Sequence, residues 1–107
     1  MSEWETREAT FEKSLEVGEA RHFKSLARRN RLVGLWAAEK RGLTGADAEA
    51  YADRLVDEQV GRDDDEALAV WLESQFAALD PPLSPHRIRR RIAELTAKAG
   101  RDVFQGR

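Results

Sequence analysis

Phe23-Lys24-Ser25-Leu26-Ala27-Arg28-Arg29-Asn30-Arg31-Leu32-Val33-Gly34-Leu35-Trp36-Ala37-Ala38-Glu39-Lys40 is the stretch on which the fold turns. It contains no proline. Phe23, Leu26 and Ala27, then Leu32, Leu35 and Trp36, recur at helical spacing and predict one stripe turned toward a core. Gly34, Ala37 and Ala38 stand beside Trp36. Small side chains there let a second helix approach closely while the indole fills the space between them.

Outward from this stretch the same periodicity returns. Ala48, Tyr51, Ala52, Leu55 and Val56 mark a second stripe, and Leu68, Trp71, Leu72, Phe76 and Leu79 a third. Ile88, Ile92, Leu95, Ala99 and Val103 mark a fourth. No segment alternates as a strand would. Gly42-Leu43-Thr44-Gly45 reads as a turn, with the Thr44 hydroxyl placed to cap the second helix. Gly61 suits the end of that helix. Asp63, Asp64, Asp65 and Glu66 suit the start of the third, where negative charge meets the positive end of the helix dipole. Pro81 and Pro82 stop it. Ser84-Pro85 starts the fourth, a capping hydroxyl followed by a proline at the first helical position. Gly100 weakens the last helix without breaking it. Short connections predict an all-α, antiparallel four-helix bundle.

The chain has 107 residues, enough for one domain with a modest core. Net charge is −2 and 36% of residues are charged, which argues against a blanket nucleic-acid binder. The charge is nevertheless blocked. Residues 24–41 hold six basic side chains and one acidic, residues 42–66 nine acidic and two basic, and residues 87–107 seven basic and two acidic. Cysteine is absent, which removes disulfides, Cys-based zinc sites and thiol nucleophiles. The acidic first twenty residues do not read as a secretory signal. The apolar run at residues 32–38 is far too short to span a bilayer. A soluble intracellular protein is the expectation.

Motifs for catalysis are not evident. His22 and His86 lack Ser and Asp partners and read as exposed helical residues. Asp63-Asp64-Asp65-Glu66 lacks the alternating ligands of a calcium loop. There is no phosphate-binding loop and no dinucleotide fingerprint. Two arginine clusters remain: Arg28, Arg29 and Arg31 with Lys24, and Arg87 with Arg89, Arg90 and Arg91. Consecutive residues are about 100° apart on a helix, so each cluster spreads around its axis. Pairing with the acidic second helix is the expected use. The alternative gives Arg28, Arg29, Arg89, Arg90 and Arg91 to weak binding of phosphate, as in ATP or ADP.

The N-terminal segment differs from the rest. Trp4, Phe11 and Leu15 recur at seven and four, a narrow stripe. Glu8, Glu12 and Glu16 sit four apart, and such like-charge pairs destabilise a helix by roughly 0.2–0.5 kcal/mol each. Gly18 costs about 1 kcal/mol relative to alanine. Residues 1–18 are therefore expected to form a mobile helical extension, and residues 19–107 the bundle. A segment that folds on a partner would bury Trp4, Phe11 and Leu15. The alternative is a frayed end.

The run from Phe23-Lys24 through Ala27-Arg28-Arg29-Asn30-Arg31-Leu32-Val33-Gly34-Leu35-Trp36-Ala37-Ala38-Glu39 to Gly42-Leu43-Thr44-Gly45 closely resembles the zeta subunit family of alphaproteobacterial F-type ATP synthases, the ATPase inhibitor subunits. Arg31 and Val33 are conservative departures. The resemblance continues through Asp47-Ala48, Ala50-Tyr51-Ala52, Asp65-Glu66, Ser84 and Ile88-Arg89-Arg90, covering nearly the whole chain.

That resemblance implies a four-helix bundle and a regulatory, non-enzymatic subunit that inhibits ATP hydrolysis. Its N-terminal segment would enter the catalytic head formed by the alpha, beta and gamma subunits and stop rotation in the hydrolysing direction. The resemblance assigns this role to Arg7, Glu8, Phe11 and Glu12, which match the family pattern, alongside Trp4 and Leu15. Thr10 replaces an alanine, and Ser14-Leu15-Glu16 and Gly18-Glu19 stand where the family tends toward Lys-Phe-Ala and an acidic pair. No cofactor is implied beyond a weak ATP or ADP ligand. No nucleic acid and no membrane insertion are expected, and the location implied is the cytoplasmic face of the inner membrane. The alternative function is a weak adenine-nucleotide-binding regulator with little inhibitory activity.

Overall fold

The computed structural model describes residues 3–59, 62 and 64–106, with side chains from Gly18 onward outside the omitted positions. Four helices account for most of it: α1 (Glu3–Lys40), α2 (Gly45–Gln59), α3 (Asp65–Phe76) and α4 (Pro85–Phe104). No strand occurs among the described residues. At 1.5 Å per residue, the 38 residues of α1 run for about 57 Å. The molecule is correspondingly elongated, 66 × 28 × 21 Å.

Local chemistry sets the helix ends. Gly42 has φ +77, a conformation that costs an L side chain energy. There its N–H donates to the Glu39 carbonyl at 3.0 Å, and the Leu43 N–H donates to the Ala38 carbonyl at 2.9 Å. This pair of bonds is a Schellman closure, and Leu43 completes it by packing against the core. Asp64 is the N-cap of α3, its Oδ1 accepting from the N–H groups of Glu66 and Ala67 at 3.0 and 3.3 Å. Ser84 caps α4 by accepting from the Arg87 N–H at 3.2 Å, with Pro85 directly after it. Helix α4 continues through Gly100, as expected. The stop assigned to Gly61 and the contribution of Asp63 fall outside the described residues.

Two ends differ from expectation. The Thr44 hydroxyl makes no capping bond among the described residues; instead the Thr44 carbonyl accepts from the Ala48 N–H at 3.4 Å. Gly45 opens α2 at φ +55, which turns the first peptide away from the geometry a capping hydroxyl requires. Helix α3 ends at Phe76, ahead of Pro81. Proline disfavours helical backbone in the residue before it, and the chain turns earlier, at Phe76–Leu79. Leu79 still packs on the core from that turn.

The core takes Tyr51, Ala52 and Leu55 from α2, Leu68, Ala69, Leu72 and Phe76 from α3, and Ile88, Ile92, Leu95 and Ala99 from α4. These are the expected stripes. Helix α1 is rotated relative to expectation. Val33, Gly34, Ala37 and Ala38 are buried, whereas Leu32, Leu35 and Trp36 are only half-buried and Phe23 is 68% exposed. The reason is close packing. A Cβ on Gly34 would lie 2.7 Å from the Ala52 Cα, so the small-residue face is the one pressed into α2. The large side chains lie at its flank, where Trp36 meets Phe76 edge to face with centroids 5.5 Å apart. Such a pair adds about 0.5–1.5 kcal/mol beyond area burial.

Candidate functional site

The arginines of α1 go to three different helices. Arg31 reaches α2, pairing with Glu49 and, at 2.8 Å, with Asp53. Arg29 is only 2% exposed and reaches Asp65 at the start of α3, while its Nε donates to Asn30 Oδ1 at 2.9 Å. Arg28 reaches α4, where its Nε donates to Asp102 at 3.2 Å. Lys98 donates to the same carboxylate at 3.2 Å. Burial acts to raise the Asp102 carboxyl, but the hydrogen bonds from Lys98 and Arg28 outweigh it and hold the group below the usual carboxylate range.

The second cluster divides as well. Arg89 turns to α3 and pairs with Glu66 and Glu73. Its hydrogen bond lowers the Glu66 carboxyl and outweighs the opposing effect of burial. Arg90 and Arg91 share Glu94, whose carboxyl is lowered chiefly by the bond from Arg91. The five arginines assigned to phosphate therefore do not form one cluster. Arg29 is enclosed, Arg28 pairs with Asp102 and Arg89 with Glu66 and Glu73, and Arg90 and Arg91, which share Glu94, line the open space between α1 and α4. Among the described residues, Arg31 alone makes the expected pairing with α2. His22 and His86 are both exposed, as expected.

That open space is a groove between α1 and α4. It consists of two hollows of about 380 and 410 Å³ that share Trp36, Glu39, Arg91 and Glu94. Lys40, Arg87 and Arg90 border one, and Lys98 and Arg101 the other. Leu32, Leu35, Leu83 and Leu95 supply apolar surface. Cations thus outnumber the two carboxylates around an apolar floor. Sequence reading missed Lys40, Lys98 and Arg101 as a group with Arg87 and Arg91. The signal was present on α4, where Arg87, Arg91, Glu94, Lys98 and Arg101 recur at intervals of four, three, four and three.

The side chains of Trp4, Arg7, Glu8, Phe11, Glu12 and Leu15 lie outside the described residues. Their backbone belongs to α1, which passes through Gly18 without a break. No group of three or more His, Cys, Asp or Glu side chains that could hold a metal occurs among the described residues. No helix there is long and apolar enough to cross a membrane.

A long helix running into a small helical core, with charge pairs between helices, defines a small all-helical protein. Residues 1–102 match the family model described as ATPase inhibitor subunit zeta, and the chain belongs to that family. Membership makes it a regulatory subunit and implies association with an ATP synthase. No curated protein and no solved structure matches the chain significantly.

Proposed function

We propose that this protein inhibits ATP hydrolysis by the F-type ATP synthase through its N-terminal segment, acting as a regulator and not as an enzyme. Family membership supports the inhibitory role. The observation that carries the mechanism is the length of α1. Ser25 already stands against Gly100 of α4, and the helix continues N-terminally to Glu3, a further ~33 Å. A helix of that reach suits entry into a cleft of the catalytic head at the alpha, beta and gamma subunits. There Trp4, Phe11 and Leu15 would be buried, with Arg7, Glu8 and Glu12 meeting polar groups. We read residues 1–18 as the inhibitory segment and residues 19–107 as an antiparallel four-helix bundle that stays outside. The pairings of Gly34 with Ala52 and of Arg28 with Asp102 support that antiparallel course. The working location is the cytoplasmic face of the inner membrane.

The test removes residues 1–18 and compares hydrolysis by the purified ATP synthase with each form added. Inhibition by the full chain alone supports the reading, and equal inhibition by both forms sinks it. A second reading rests on the cation surplus of the α1/α4 groove: weak binding of ATP or ADP near Arg90 and Arg91, with little inhibition. Titration of labelled protein with either nucleotide tests it, and no shift at millimolar ligand removes it.

A further inference from the structure

We propose that the α1/α4 groove receives the acidic N-terminal segment, residues 3–17, of a second copy of this chain. The groove carries uncompensated positive charge. Lys40, Arg87 and Arg101 make no ion pair among the described residues, and Arg90 and Arg91 share the single Glu94. Arg91 lines both hollows, and its side chain is 43% exposed.

Residues 3–17 have the complementary composition. They hold five glutamates against Arg7 and Lys13, together with Trp4, Phe11 and Leu15. The lengths agree as well. Fifteen residues of helix span about 22 Å, and the α4 side of the groove, from His86 to Arg101, spans about the same distance. A nucleotide would occupy one hollow, whereas a helix of this length covers both.

The segment cannot come from the same molecule while α1 is unbroken. Residue 17 stands about 22 Å from Leu32 along the same helix. A second copy can supply it, and the exchange is then reciprocal: each chain gives a segment and receives one. Such an isologous contact closes at two copies. In the dimer the segment is covered, and only the monomer offers it to another partner.

Sedimentation of the full chain over a range of concentrations tests this. The expected result is a monomer–dimer equilibrium whose dissociation constant rises by about tenfold or more from low to high salt. The variant Arg87→Glu/Arg90→Glu/Arg101→Glu should be monomeric, with its helical circular dichroism retained because all three side chains are exposed. Mixing it with Glu5→Lys/Glu8→Lys/Glu12→Lys should restore a dimer that neither variant forms alone. A full chain that stays monomeric overturns the proposal, including one that binds ADP in the groove instead. So does a dimer that persists in the arginine variant, or a mixture that stays monomeric. The readout contains no ATP synthase, so its failure and a failure of the inhibitory reading are separable.

Discussion

Gly34 of α1 and Ala52 of α2 approach so closely that only a hydrogen fits at the Gly34 Cα, with 2.7 Å left between a built Cβ and the Ala52 Cα. This contact places α1 and allows Val33, Ala37 and Ala38 to be fully buried beside it. Gly34→Ala is expected to push the helices apart and to destabilise the fold by about 1–3 kcal/mol. Urea unfolding measures it. A larger cost for Gly34→Val would follow from the same geometry.

Asp102 ties α4 to α1 through Arg28 and to its own helix through Lys98. Its carboxyl is depressed in the folded chain. Its stabilising contribution is therefore complete above the unfolded value of about 3.9 and is lost as pH falls through the lower folded value. Asp102→Asn should be less stable than the natural chain at neutral pH. That gap should shrink below about pH 4, measured by urea midpoints for both proteins. A gap independent of pH would assign the residue a purely steric role.

The caps on α3 and α4 make a milder forecast. Asp64 accepts two backbone N–H bonds and Ser84 one. Asp64→Ala and Ser84→Ala should each lower stability by about 1 kcal/mol, additively, since they sit at separate helix starts. Thermal or urea unfolding of the double variant checks the additivity.

Residues 1–18 should exchange amide hydrogens fast in the free monomer. Their like-charged glutamates and Gly18 weaken the helix. Hydrogen exchange at low protein concentration resolves this directly. Strong protection from Trp4 to Leu15 in the monomer would contradict folding on a partner. Gly18→Ala should raise helicity by favouring the helix about 1 kcal/mol at that position.

The sequence made α2, α3 and α4 readable because each turns one broad apolar stripe to one core. Tyr51, Leu55, Leu72 and Ile92 all sit where periodicity puts them. Periodicity of large apolar residues misplaces the buried face of α1, because there apolar size does not mark burial. In α1 the buried face is small, set by the approach of Gly34 to Ala52, and Phe23 is left outside. The arginines were legible as clusters but not as pairs. Arg29 is buried because Asp65, distant in the chain, meets it, and only the folded chain supplies that partner. The groove was hidden for a similar reason, since half of it belongs to each of two helices.

Inhibition of hydrolysis by the N-terminal segment can be read from one titration. ATP hydrolysis by the purified ATP synthase would be measured against increasing full chain and against Phe11→Ser/Leu15→Ser. The natural chain should inhibit, and the variant, its bundle intact, should lose most of that inhibition. Equal inhibition by both proteins would contradict it and move the inhibitory surface to the bundle.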